Sequence, residues 1–361
     1  MKRLVVAGAV AAALAVPSAH AQSSVTIYGL LDAGVTMLSN VGGSRAWVFD
    51  SGIQQSNRFG FQGLEDLGGG TKAIFTLENG FSLNNGAAAQ GGLLFGRQAY
   101  VGLTNARYGT LTFGRQYDFM AEELALSAAA AYVGGLYAWH LGDQDRIAGE
   151  RFNNAVKYAS PKIGGLNFGA LYSFGGVAGN FKQNSAWSAG LSYAFGPFNV
   201  GAAYTNAQNT QLPVYSYLGL SRFAGVAVQP KTVLALDRTT NFGVGASYTI
   251  GAAALHALYT WTQFASPAAS PVLRVYEGGA NYWITPALTV GAAYTYSSMA
   301  PNHWGQLITG VDYFLSKRTD VYLTLNTIRA SGPDVAGILA AQSPSGNNSQ
   351  TAVRIGMRTK F

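Results

Sequence analysis

The chain has 361 residues and carries 23 Lys and Arg against 16 Asp and Glu, a formal net charge of +7, with no cysteine. Charged residues are only 11% of it, while 46 glycines, 20 tyrosines and 19 phenylalanines enrich it in turn formers and strand formers. This excludes a disulfide framework and thiolate metal sites. It also excludes a nucleic-acid binder, which wants a basic patch, because the cations here are spread singly along the chain.

In chain order, Lys2 and Arg3 precede an apolar run from Leu4 to Val16, then Pro17 and the small-residue site Ala19-His20-Ala21. That is a secretory signal peptide over residues 1–21, cut after Ala21. The run is too short to span a bilayer as a helix, which needs about 20 residues, and no later stretch of that length is apolar throughout. Removing Lys2 and Arg3 takes the net charge from +7 to +5 for the remaining single domain, 22–361.

From Ser24 onward, units of roughly ten residues alternate with period two. In the segment 242–250 the apolar or aromatic residues Phe242, Val244, Ala246, Tyr248 and Ile250 share one face. Leu255, Ala257, Tyr259 and Trp261 repeat the pattern, as do Leu288, Val290, Ala292, Tyr294 and Tyr296. In the last segment, Val353, Ile355, Met357 and Phe361 oppose Arg354, Arg358 and Lys360. One face in hydrocarbon and the other toward water describes a transmembrane barrel. We predict sixteen antiparallel strands, centred near residues 30, 60, 77, 99, 113, 155, 170, 191, 202, 246, 258, 278, 293, 310, 325 and 356. Connections alternate between short turns and long loops, the latter expected at 38–54, 81–93, 117–150, 175–185, 206–238 and 329–349. Bacterial barrels have short periplasmic turns and longer outer loops.

The stretch 117–150 breaks the rhythm. It has an alanine-rich middle that suggests a short helix, a Gly134-Gly135 reversal, and the acids Asp118, Glu122, Glu123, Asp143 and Asp145. A segment this long between short strands is usually functional, and we expect it to fold into the lumen.

Several stretches resemble the general porins of Gram-negative outer membranes, most closely those of beta-proteobacteria. They are Ser24-Val-Thr-Ile-Tyr-Gly-Leu-Leu-Asp-Ala-Gly34, Ser56-Asn-Arg-Phe-Gly-Phe-Gln-Gly63, Gly96-Arg-Gln-Ala-Tyr-Val-Gly-Leu103, Gly114-Arg-Gln116, Asn153-Asn-Ala-Val-Lys-Tyr-Ala-Ser-Pro161, Leu315-Ser-Lys-Arg-Thr319 and the terminal strand ending in Phe361. The resemblance implies a homotrimeric barrel for passive diffusion of ions and small hydrophilic solutes, embedded among outer-membrane lipids and lipopolysaccharide, without a cofactor. It implies that the third outer loop makes a constriction of acids facing wall cations, and that the outer-membrane assembly machinery reads Phe361. Where many members carry a Pro-Glu-Phe-Gly-Gly-like turn in that loop, this chain has Tyr132-Val-Gly-Gly-Leu136.

Strand parity alone points Arg58, Lys72, Glu78, Arg97, Arg151 and Lys157 into the lumen, with Phe59, Phe61, Phe75, Leu77, Tyr100 and Val156 toward lipid. Arg58, Arg97 and Arg151 also match the basic wall positions of related porins. Arg115 shares the parity of Leu111 and Phe113, so we place it outside, at a subunit interface. Counting inward strand charges, Arg58, Lys72, Arg97, Arg151, Lys157, Arg354, Arg358 and Lys360 outnumber Asp32, Glu78, Glu277 and Asp312, which suggests weak anion preference. No Gly-x-Ser-x-Gly or other partner pattern accompanies His140, His256 or His303, so catalysis is not expected. The rival reading is a ligand-specific or adhesive barrel using 206–238 and the aromatics Tyr132, Tyr137 and Trp139.

Overall fold

The computed structural model describes residues 23–361, so the signal peptide assigned to 1–21 lies outside the described residues. Each period-two segment forms a strand and pairs antiparallel with its sequence neighbours. The strands are β1 (Ser24–Val41), β2 (Ser44–Ser51 continued by Arg58–Asp66), β3 (Thr71–Gly80), β4 (Gln98–Asn105), β5 (Gly109–Tyr117), β6 (Arg151–Ala159), β7 (Leu166–Ser173) and β8 (Ala186–Phe195). The second half comprises β9 (Phe198–Gln208), β10 (Arg238–Ile250), β11 (Ala253–Ala265), β12 (Val272–Thr285), β13 (Leu288–Met299), β14 (Asn302–Phe314), β15 (Thr319–Ser331) and β16 (Ser349–Lys360). The two parts of β2 pair with successive stretches of β1 and occupy one position. Pairing of β1 with β16, from Leu30 opposite Lys360 to Leu38 opposite Ala352, closes a sixteen-stranded barrel without a free edge. Among the described residues no helix is long and apolar enough to cross a membrane, as expected of a protein that crosses with strands.

All sixteen expected strand centres fall within strands. The expected first outer loop, 38–54, instead continues the sheet as a hairpin turning at Gly42 and Gly43, both with positive φ. Lipid-facing parity also holds along most of the wall: Val25, Ile27, Val101, Leu103, Ile355 and Met357 are exposed, whereas Asp32, Thr36, Thr76, Glu78 and Arg354 are buried inside.

Polarity inverts at the outer ends of β11 to β16. There Phe264, Leu273, Val275, Met299, Trp304, Ile328 and Ala352 point inward and are buried, while Arg274 and Arg329 point outward and are exposed. A tilted strand needs only about 9–11 residues to cross the hydrocarbon, and these run to 12–14. Their surplus projects past the bilayer, where water lies outside. The inner face then packs on Leu212, Val214, Leu218, Leu220, Phe223 and Val228 of the loop 209–237 and on Ile338 and Leu339 of the loop 332–348. An apolar core therefore fills this side of the outer mouth and leaves the open space beside β2 to β6.

Candidate constriction site

On that open side, the loop ends of adjacent strands place one interior polar group each in a row. Arg58 and Glu78 lie on β2 and β3, Arg97 just precedes β4, Tyr117 ends β5 and Arg151 starts β6. Arg97 Nε donates to Glu78 Oε1 at 2.6 Å, and Arg58 Nε lies 3.8 Å from Glu78 Oε2. The Tyr28 hydroxyl donates to the same carboxylate at 2.8 Å. Arg97 Nη2 and Arg151 Nη2 both donate to the Tyr117 hydroxyl oxygen, at 2.7 and 2.8 Å. The Arg151 guanidinium lies 4.6 Å from the centre of the Tyr117 ring. Three guanidinium groups thus share one carboxylate and one phenol along a continuous ladder.

The ladder separates two spaces, both bordered by Arg97. One, about 560 Å³, is lined by Tyr28, Gln55, Arg58, Gln62, Glu78 and Lys360. The other, about 550 Å³, lies on the outer side and is lined by Arg151 with Trp139, Asp143, Glu150, Tyr217 and Leu339.

The segment 118–150 does fold into the barrel. It opens with α1 (Phe119–Leu124), capped by the Asp118 side chain accepting from the Ala121 amide. Short 3₁₀ turns follow between Ala125 and Asp143. Phe119, Met120 and Leu124 bury against Leu171, Ala203 and Leu258 of the wall, and Ala129, Val133 and Ala138 against Ala293 and Ile308. Gly190, Gly201 and Gly243 leave room for α1, since a Cβ on Gly201 would stand 2.5 Å from the Glu123 carbonyl oxygen. The reversal at Gly134-Gly135 is tight: Gly135 has φ 55°, and a Cβ there would sit 2.2 Å from the Ile53 carbonyl oxygen. Gly135→Val combines a left-handed backbone with that clash, about 1–3 kcal/mol from the backbone alone. Its expected result is a displaced loop, read as larger and more variable single-channel conductance than the parent's.

The residues predicted for the site divide by location. Arg58, Glu78, Arg97 and Arg151 come together in the ladder, and Asp143 borders the outer space beside Arg97 and Arg151. The Asp143 carboxylate accepts from the Ala148 amide at 2.8 Å; burial, with Asp145 beside it, pushes its pKa well above the ordinary range. Asp118, Glu122 and Glu123 stand elsewhere. Asp118 is fully buried and pairs with Arg146 while accepting from Thr205. Glu122 pairs with Lys157, whose Nζ also donates to the Tyr117 carbonyl at 3.2 Å. Glu123 packs over Gly190 and Gly201. Asp118 and Glu122 thus tie the start of the loop to the wall through Thr205 and Lys157, although Glu122 itself stays exposed. Lys72 lies beside the turn 67–70, six residues from Glu78 along the strand, about 20 Å away.

Tyr100, expected toward lipid, instead faces inward, its hydroxyl accepting from Thr76 at 3.0 Å, while Val101 and Leu103 are the exposed residues. Arg97 reaches the lumen because the chain turns inward before β4 begins, not through strand parity. Sequence reasoning also passed over Tyr117 and Glu150; the signal for both was their place at the two hinges of the inserted segment. Arg115 lies on the exterior as expected, donating to the Gly96 carbonyl at 2.8 Å and to Asn153 at 2.7 Å. Phe361 pairs through its backbone with Gly29, and its ring lies where a Cβ on Gly29 would be.

A family model described as Gram-negative porin matches residues 7–333. The chain is 31% identical over 378 residues to outer membrane porin protein 32 of Delftia acidovorans, each chain being covered completely. It is 34% identical over 249 residues to an outer membrane porin protein of Bordetella pertussis, spanning 58% of this chain and 61% of that one. Among solved structures, the anion-selective porin from Comamonas acidovorans superposes with a TM-score of 0.77 at 25% identity, covering 94% of this chain and all of the other. With its closed sixteen-stranded barrel, the chain belongs to the Gram-negative porin family and forms an outer-membrane channel.

Proposed function

We propose that this channel passes ions and small hydrophilic solutes by passive diffusion, without catalysis, through a constriction between the Arg58, Arg97 and Arg151 wall and the Asp143 to Glu150 end of the inserted loop, with a net preference for anions. The observation that carries the preference is the ratio in the ladder: three guanidiniums to the single carboxylate of Glu78. The other lumen arginines add no cationic excess, since Arg354 faces both Asp32 and Asp50, and Arg358 both Asp312 and Asp320. The similar Comamonas protein is anion-selective, which supports the same sign here. Opposed charges at close quarters in a narrow pore act directly on the passing ion.

In this reading the channel is a homotrimer with Arg115 at the subunit contact, its shell of outward aromatics and outer-end arginines faces outer-membrane lipids and lipopolysaccharide, and Phe361 is presented to the assembly machinery. The test is the reversal potential of the purified protein in planar bilayers under a potassium chloride gradient, with conductance steps recorded alongside. Large ohmic steps in threes with an anion-signed potential are expected; a cation-signed potential overturns the preference, and small steps blocked by one solute class overturn the general pore.

A further inference from the structure

A buried cluster on the far side of the inserted loop takes no part in the ladder. His140 is 2% exposed and sits between two carboxylates, one from its own loop and one from the wall. Its Nδ1 bonds Asp145 Oδ2, and its Nε2 lies 3.2 Å from Glu277 Oε2 on β12. Each carboxylate has further donors: Thr260 Oγ1 to Asp145 at 2.6 Å, Thr295 Oγ1 to Glu277 at 2.9 Å, and the Ala129 amide to Glu277 Oε1 at 2.6 Å. Glu277 thereby holds the loop at two points, Ala129 and His140.

We infer that His140 is a positioning residue for permeation: its ring, donating from both nitrogens, pins the loop to the wall between Asp145 and Glu277 and so fixes Trp139 and Asp143, which border the solute path. The inference rests on the proposed pore. Burial alone would favour the neutral ring, but Asp145 and Glu277 outweigh it and push the pKa up to about 10. The next ionisable groups are the His256 ring, stacked on Tyr132 with centroids 4.8 Å apart, Asp143, and Arg146, which is committed to Asp118. A histidine raised in this way contributes fully below its ordinary value near 6.5 and loses its contribution as pH rises through about 10. The pin therefore holds across the physiological range.

The test is the open-channel noise and the spread of conductance levels of His140→Gln in planar bilayers. A severalfold increase is expected. Because the chain has no cysteine, a single engineered disulfide can replace the pin: a Cβ on Gly310 would lie 2.5 Å from Val133 Cγ2, within reach of a Val133→Cys/Gly310→Cys bridge after small adjustment. Oxidising that pair in the His140→Gln background should restore the parent's quiet levels, and reducing it should abolish them again. Parent-like noise in His140→Gln, or noise indifferent to the bridge, overturns the inference while leaving the pore intact. No steps from the parent overturns both readings. Should His140→Gln fail to assemble, the bridged protein with native His140 supplies the test: noise rising above about pH 10 only in the reduced form is expected, and identical traces in both forms overturn the inference.

Discussion

Arg97→Glu should convert the channel from anion-preferring to cation-preferring. Arg97 is the residue that borders both spaces of the passage, so every permeating ion meets it. The substitution changes the local charge by two units and places a second carboxylate beside Glu78. For an ion about 5 Å away in water, one unit charge is worth about 0.8 kcal/mol, and screening at 0.1 M salt leaves about half of that. Two units then move each ion's barrier by about 1 kcal/mol, in opposite directions for the two signs, and the permeability ratio by more than tenfold. The reversal potential under a salt gradient reads this as a change of sign. Lys72→Glu is the internal control. It makes the same two-unit change beside the turn 67–70, about 20 Å from the ladder and beyond the screening length, and should leave the sign unchanged. Equal shifts from the two variants would mean that the whole lumen, and not the ladder, sets selectivity.

The barrel was readable because a membrane imposes period-two polarity on every strand that crosses it, and this chain keeps that period in the strand segments between its loops. Where the constraint lapses, the reading fails for the same reason. The outer ends of β11 to β16 leave the bilayer, so Trp304, Leu273 and Phe264 turn inward against loops while Arg274 turns outward to water. Nothing local marks that crossing point. The hairpin over 38–54 was missed because its outward face, with Trp47 and Phe49 exposed, lies next to polar and glycine residues that resemble a loop. Within the site, strand parity located Arg58 and Glu78 because both lie in regular pairing. It could not divide the loop acids, whose directions depend on α1 and on which glycines of the wall admit it. Hence Asp118 and Glu122 meet Thr205 and Lys157 of the wall and Glu123 lies over Gly190 and Gly201, whereas Asp143 borders the outer space beside Arg97 and Arg151.

The largest expected loss of stability belongs to Arg354, an inward arginine of β16 with no exposed side-chain surface. Its Nη2 lies 3.1 Å from Asp32, its Nη1 pairs with Asp50, and its Nε donates to the Tyr322 hydroxyl at 2.9 Å. Tyr322 in turn donates to both oxygens of Asp32, at 3.0 Å each. This network crosses the seam where β1 meets β16 and the barrel closes, and it extends to the loop, because the Tyr137 hydroxyl donates to Asp50. Arg354→Met keeps much of the volume but leaves Asp32 buried without its cation. Removing one partner of a buried pair costs about 3–5 kcal/mol, mostly as the penalty on the charge left behind. The measurement is the urea midpoint of refolded protein in detergent or lipid, followed by the shift between folded and unfolded bands in cold electrophoresis. Adding Asp32→Asn to Arg354→Met removes the stranded charge, so the double variant should be more stable than the single one, a coupling that independent sites do not show. A double variant no better than the single would mean that Arg354 acts by filling space at the seam, and that its charge contributes little to closing the barrel.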